Sequence, residues 1–159
     1  MAGGSPQDFA TVKVVLNALG RPVHVGPLGA GQLAKLANQA IVAVTIAAVA
    51  EAMLMLQNGG ADPAAVRAAL KGGFADSTIL QQHGARMTTG DFTPGGLSEL
   101  QLKDLNNALA EAESFGLSLP TLINTRDRFQ RLVSDLGGAK LDHSALYLEL
   151  RDLNGLVEV

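Results

Sequence analysis

The chain has 159 residues, a formal net charge of −3, 47% hydrophobic but only 4% aromatic residues, and no cysteine. That length suits one domain with a proper core, built from Ala, Leu, Val and Ile in closely packed helices rather than from an aromatic-rich sheet. Disulfides and Cys-ligated metals are excluded, isolated Lys and Arg residues leave no nucleic-acid footprint, and the missing cysteine fits a reducing cytoplasm, the expected location.

Ser5-Pro6-Gln7-Asp8 reads as a helix start, with a Ser cap, Pro at the first helical position and an acid in the first turn. Phe9, Val12, Leu16 and Leu19 then recur at helical spacing up to Gly20. "RPVHVG" reads as a short strand. There is no secretory signal pattern at the front. A helix follows from about Gly31 to Asn58, roughly 42 Å long at about 1.5 Å per residue, and stops at Gly59-Gly60. Leu36 to Ala50 is uncharged, but Asn38, Gln39 and Thr45 lie within it and Glu51 interrupts it, so a core helix is expected and no membrane. Being apolar nearly all round, it should be covered on every side, by this chain or by another copy.

Asp62-Pro63 opens a third helix that stops at Gly72-Gly73, and Ser77 caps a fourth that ends near Gly90. "DFTPGG" is loop. Ser98 with Gln101 reads as a capping box for a fifth helix, with Leu102, Leu105, Leu109 and Ala112 facing inward up to Gly116. Pro120 opens a sixth that buries Leu122, Phe129, Val133 and Leu136, and Asp142 caps the last. His24, His83 and His143 sit in no ligand spacing, so no metal site is expected. From residue 27 onward the expected fold is all-α, built on one long central helix. The strand-helix-strand at the front reads as the tail of a parallel-sheet domain.

Gly26-Pro-Leu-Gly29-Ala-Gly31 follows a strand and opens a helix, as a dinucleotide loop would. The order is nevertheless the reverse of G-x-G-x-x-G. Glu51, where a ribose-binding acid could be sought, lies in the same uninterrupted helix as Gly31, so a nucleotide loop is rejected. What remains is a helix start carrying Lys35, with Asn38 and Gln39 on the same face at i+3 and i+4. A lysine partly desolvated near the positive end of a helix dipole has a destabilised ammonium and can relay a proton near neutral pH, while the two amides would orient a polar ligand. A solvated helix end is the plain alternative.

"GPLGAGQLAKLANQ" strongly resembles the G-x-x-G-x-G-x-x-x-K-x-x-N signature of the β-hydroxyacid dehydrogenases, the family of 3-hydroxyisobutyrate dehydrogenase, tartronate semialdehyde reductase and, more distantly, 6-phosphogluconate dehydrogenase. "KGGFADSTIL", "DFTPGGLSELQLKDLNNAL" and "DHSAL" resemble successive pieces of that family's helical second domain; "KLANQ", "GGFADSTIL" and "DHSAL" look closest to the tartronate semialdehyde reductase branch. The resemblance implies that residues 1–26 are the tail of an NAD(P)-binding Rossmann domain and that residues 27–159 are a helical substrate and oligomerisation domain like the C-terminal domain of 6-phosphogluconate dehydrogenase.

It further implies an NAD(P)-dependent oxidoreductase that interconverts a short 3-hydroxy acid and its semialdehyde, of 2-hydroxy-3-oxopropionate or 3-hydroxyisobutyrate type. In that reading Lys35 is the proton donor and acceptor, Asn38 or Gln39 contacts substrate, Asp104 lies near the substrate pocket, and Lys103 reaches the cofactor. The cofactor itself, NAD or NADP, is held mainly by the Rossmann domain, so the isolated chain is expected to be inactive. A homo-oligomer through helix 31–58 is expected. Relatives often carry an aromatic where this chain has Gly96, which predicts a more open pocket wall. The alternative from another class is a non-catalytic helical assembly module on the same scaffold.

Overall fold

In the computed structural model, which describes residues 1–156, side-chain caps or an N-terminal proline start several of the helices where the sequence places them. Ser5 accepts from Asp8 N (3.0 Å) and opens α1 (Pro6–Asn17). Asp62 accepts from Ala64 N (2.8 Å) before α3 (Pro63–Leu70), and Ser77 accepts from Leu80 N (2.9 Å) before α4 (Thr78–Thr89). Pro120 opens α6 (Pro120–Ser134), and Asp142 accepts from Ser144 N (3.0 Å) at a 3₁₀ turn that runs into α7 (Leu146–Leu153).

The long helix is α2 (Ala30–Asn58), and α5 is Ser98–Ser114. Helix α2 runs through the middle, with α4, α5, α6 and α7 packed around it. Its alanines make that possible. Ala43 and Ala50 are wholly buried with Ile46, so partner helices approach closely and set Leu105, Phe129 and Leu146 against it. Glu149 on α7 is buried and takes hydrogen bonds from Arg128 and Arg131 of α6, while Arg128 also reaches Glu51 on α2 (3.0 Å). That network pins three helices at one end of the bundle.

Two strands precede the bundle. β2 (His24–Gly26) pairs in parallel with β1 (Ala2–Gly3), and α1 is the crossover between them. Gly3 has to be glycine, because a Cβ there would stand 2.5 Å from the Pro27 carbonyl and 2.9 Å from Ala30 N. Gly29, at φ +91°, makes the left-handed turn into α2 that an L side chain resists. No residue of α1 is buried, and Val12 and Val15 along one of its faces, with Leu19 in the turn that follows, are all exposed.

Two readings of the sequence change. Ser98 and Gln101 do not form a capping box: Leu97 occupies the cap position, Ser98 donates to the carbonyls of Leu141 (3.1 Å) and Asp142 (3.2 Å), and Gln101 reaches across to α2. Tertiary partners outcompete the local one. In α6 Leu122 and Phe129 are buried as expected, but Leu132 joins them in place of Val133, which is half-buried, and Leu136 is exposed, because the helix ends at Ser134 before Leu136 can turn inward. Within a single copy α2 leaves Leu33, Ile41 and Met55 exposed, so cover on every side, by this chain or another, calls for a second chain on that face.

Candidate active site

Lys35, Asn38 and Gln39 share the face of α2 that their spacing dictates, and α5 crosses it carrying Asp104. The Asp104 carboxylate accepts from Lys35 Nζ and from Gln39 Nε2 (2.9 Å) through the same oxygen, Oδ2. Its other oxygen stands 3.7 Å from Lys103 Nζ. Asn38 Nδ2 donates to Gln39 Oε1 (3.0 Å), so one polar chain runs from Asn38 through Gln39 to Asp104 and Lys35.

The four residues differ in exposure, and that separates their roles. Asp104 is 8% exposed, whereas the side chains of Lys35 and Lys103 are 43% and 65% exposed and Asn38 is open to solvent. Burial by itself would raise the Asp104 carboxyl. Hydrogen bonds from Lys35 and Gln39, with the charges of Lys35 and Lys103, outweigh it and hold the group below its usual range. The lysine therefore has a counter-ion 69 residues away in sequence, which the helix-dipole argument for a destabilised ammonium left out. Gln39 spends its amide on Asp104, and Asn38 is the one left facing outward.

A second constellation is one the sequence did not announce. Asp142, 1% exposed, takes two backbone N–H bonds on Oδ2, from Gly95 and Gly96 (3.0 Å each), and two on Oδ1, from Ser144 N (3.0 Å) and Ser144 Oγ (2.6 Å). Burial raises this carboxyl, but those four donors bring it down to about 2. Beside it the rings of His83 and His143 meet edge to face, with centroids 4.7 Å apart. The three residues judged to be in no ligand spacing thus include two that come together, with donor atoms within 4.8 Å of Asp142's.

The set does not suit a cation all the same. All four lone-pair directions of Asp142 are used, and Arg86 Nη1 already stands 3.7 Å from it. It is a clasp on the 91–97 loop. That clasp also closes the space beside Gly96, where a Cβ would stand 3.1 Å from the His143 ring, so the loop is not open on that side.

The glycine turn before α2 does not cradle a phosphate. Ala30 N donates to Pro27 O (3.0 Å), Gln32 N and Leu33 N donate to Gly29 O (3.0 Å each), and Gly3 lies over the first turn. An anion would find those amides spent and covered.

Comparison with known proteins agrees with this architecture. The family model described as "NAD-binding of NADP-dependent 3-hydroxyisobutyrate dehydrogenase" matches residues 29–150. The 2-hydroxy-3-oxopropionate reductase of Escherichia coli (strain K12) is 46% identical over 147 residues, which is 92% of this chain and 50% of that enzyme. The 3-hydroxyisobutyrate dehydrogenase of Pseudomonas aeruginosa is 29% identical over 137 residues, 81% of this chain and 46% of the enzyme. The solved structure of 3-hydroxyisobutyrate dehydrogenase from Mycobacterium tuberculosis superposes with a TM-score of 0.84 at 27% identity, covering 94% of this chain and 53% of that one. The chain thus spans about half the length of the relatives it matches. With the helical order, the crossing of α2 and α5 and the extent of the family match in agreement, this chain belongs to the 3-hydroxyisobutyrate dehydrogenase family of oxidoreductases.

Proposed function

We propose that residues 27–159 are the substrate-side helical domain of an NAD(P)-dependent oxidoreductase interconverting a short 3-hydroxy acid and its semialdehyde, with Lys35 as proton donor and acceptor. The observation that carries this is the Lys35–Asp104 pair: a half-exposed ammonium held by a buried carboxylate, with a second donor, Gln39, on the same oxygen. A purely assembly-making helix has no use for a buried acid aimed at a lysine. In the reducing direction Lys35 gives a proton to the carbonyl oxygen as it becomes hydroxyl, and in oxidation it takes that proton back. Asp104 and Gln39 orient Lys35, and outward-facing Asn38 holds a polar group of the substrate.

NAD(P), when bound, supplies or receives the hydride. The residues here fit the rim of such a site rather than its cradle: Lys103 is an exposed cation beside Asp104, and the start of α2 is filled by Gly3. Residues 1–26 are read as the end of the nucleotide domain. Support comes from the parallel β1-α1-β2 unit, which shows an exposed apolar surface of Val12 and Val15 on the helix and Leu19 just after it. Exposed Leu33, Ile41 and Met55 support self-association through α2.

The test is made in the enzyme that contains both domains. Lys35→Ala should lower turnover by about 10²–10⁴-fold while cofactor affinity barely moves. Lys35→Arg should fail almost as badly, since a guanidinium holds its proton at any working pH. Replacement of the exposed Lys140 is the control. Near-normal turnover in Lys35→Ala would leave the solvated helix end as the correct reading.

A further inference from the structure

The side chain of Gln101 is 2% exposed, sits on the first turn of α5, and serves neither as a cap nor as core packing alone. Its Nε2 donates to the main-chain carbonyl of Gln39 (3.2 Å), and its Oε1 faces Nδ1 of His143 (3.3 Å). The orientation of this amide follows from chemistry: a carbonyl has no proton to give, so only the NH₂ end can face Gln39 O. The oxygen is then left for His143, which must present Nδ1–H to it. His143 in turn donates its backbone N–H to Gly96 O (2.7 Å), and its ring lies against Gly96 and His83.

The geometry points to Gln101 as a positioning residue that ties the Gln39 turn of α2 to the His143 ring and thereby keeps Gln39 and Lys35 in register with Asp104. Nothing local does this. The Lys35 turn lies near the start of α2, and the Asp104 carboxylate is one turn of α5 beyond Gln101. Core packing sets the separation of the two helices, and this one amide ties them at the point where their side chains must meet. The first turn of α5 is itself anchored, because Ser98 donates to Leu141 O and Asp142 O and Asp142 clasps the 91–97 loop. His143 is faced by Asp142 on its own segment, by His83 and Arg86 from α4, and by Gln101 from α5. Burial, with Arg86 and His83 against it, lowers its pKa despite Asp142 and keeps the ring neutral, so its single proton has a definite seat.

The functional weight of this coupling rests on the reading of Lys35 as the proton-transfer group; the coupling itself does not. It is tested on the intact chain without substrate. Long-range ¹H–¹⁵N NMR of the His143 ring is expected to show the Nδ1–H tautomer in the wild type, and an Nε2–H ring would overturn the proposal. Gln101→Met keeps the length and volume of the side chain and removes both hydrogen bonds. It is expected to release the tautomer and to raise the Asp104 carboxyl midpoint, followed by ¹³C NMR, by about half a unit or more, although Gln101 does not touch Asp104.

An unchanged Asp104 midpoint in Gln101→Met, with only the cavity-forming Gln101→Ala perturbing it, would reduce Gln101 to packing and overturn the proposal. Retained turnover in Lys35→Ala would refute the catalytic reading and leave these NMR results standing, so the two failures are distinguishable.

Discussion

Lys35 of α2 and Asp104 of α5, 69 residues apart in sequence, meet as an ion pair in which the acid is buried and the lysine half-exposed. The asymmetry separates stability from activity. A pair whose cation reaches solvent contributes about 1 kcal/mol or less. Asp104→Asn should therefore leave the urea midpoint nearly unchanged, yet lower turnover of the two-domain enzyme by about tenfold or more, because Lys35 loses the group that aims it. Equal losses in both measurements would contradict this assignment of roles.

Asp142 behaves in the opposite way. Its carboxyl lies at about 2 in the fold against an ordinary 3.8, so the folded state binds its proton more weakly than the unfolded state does. The resulting stability, about 2 kcal/mol, is fully present above pH 4 and is lost as pH falls toward 2. Asp142→Asn should cost about that much at pH 7, since an NH₂ cannot accept from Gly95 and Gly96 or from Ser144, and should cost far less at pH 2. Chemical denaturation at the two pH values checks it.

His83 and His143 are both lowered from 6.5, chiefly by burial, His83 with a buried Nδ1 that has no hydrogen-bond partner among the described residues. A depressed histidine favours the fold while neutral, so its contribution is present above the unfolded value and declines as pH falls below about 6.5. The urea midpoint should drop between pH 7.5 and pH 5.5, and His83→Leu should flatten that drop. A midpoint independent of pH in this window would refute it.

Exposed Ile41 and Met55 on α2 are expected at a contact between copies. Ile41→Glu combined with Met55→Glu should shift sedimentation to a smaller species with helical circular dichroism unchanged. A wild type that is strictly monomeric at high micromolar concentration would remove the expectation.

The isolated chain should bind NAD(H) and NADP(H) weakly, because the amides that begin α2 are covered by Gly3 and spent on Pro27 O and Gly29 O, leaving Lys103 as a single exposed charge. A micromolar dissociation constant by calorimetry would contradict this.

What the sequence by itself determined was local. Ser5, Asp62, Ser77 and Pro120 mark helix starts because caps act within three residues of themselves, and the long, largely apolar stretch between the Gly29-Ala-Gly31 turn and Gly59 marks α2 to within one residue of its observed start. The common face of Lys35, Asn38 and Gln39 follows from helical spacing alone, and the family signature rests on the same residues. Tertiary structure decided the rest. Nothing in the spacing of Asp104 ties it to Lys35 until α5 carries it under α2; Ser98 and Gln101 matched a capping box until Leu141, Asp142 and Gln39 offered them better partners; His83, Asp142 and His143 shared no spacing until α4 and the α7 approach came together. Caps and periodicity report hydrogen bonds and burial within a turn or two of chain, whereas the distance between two helices depends on how alanines and larger residues interdigitate along both, which neither helix encodes alone.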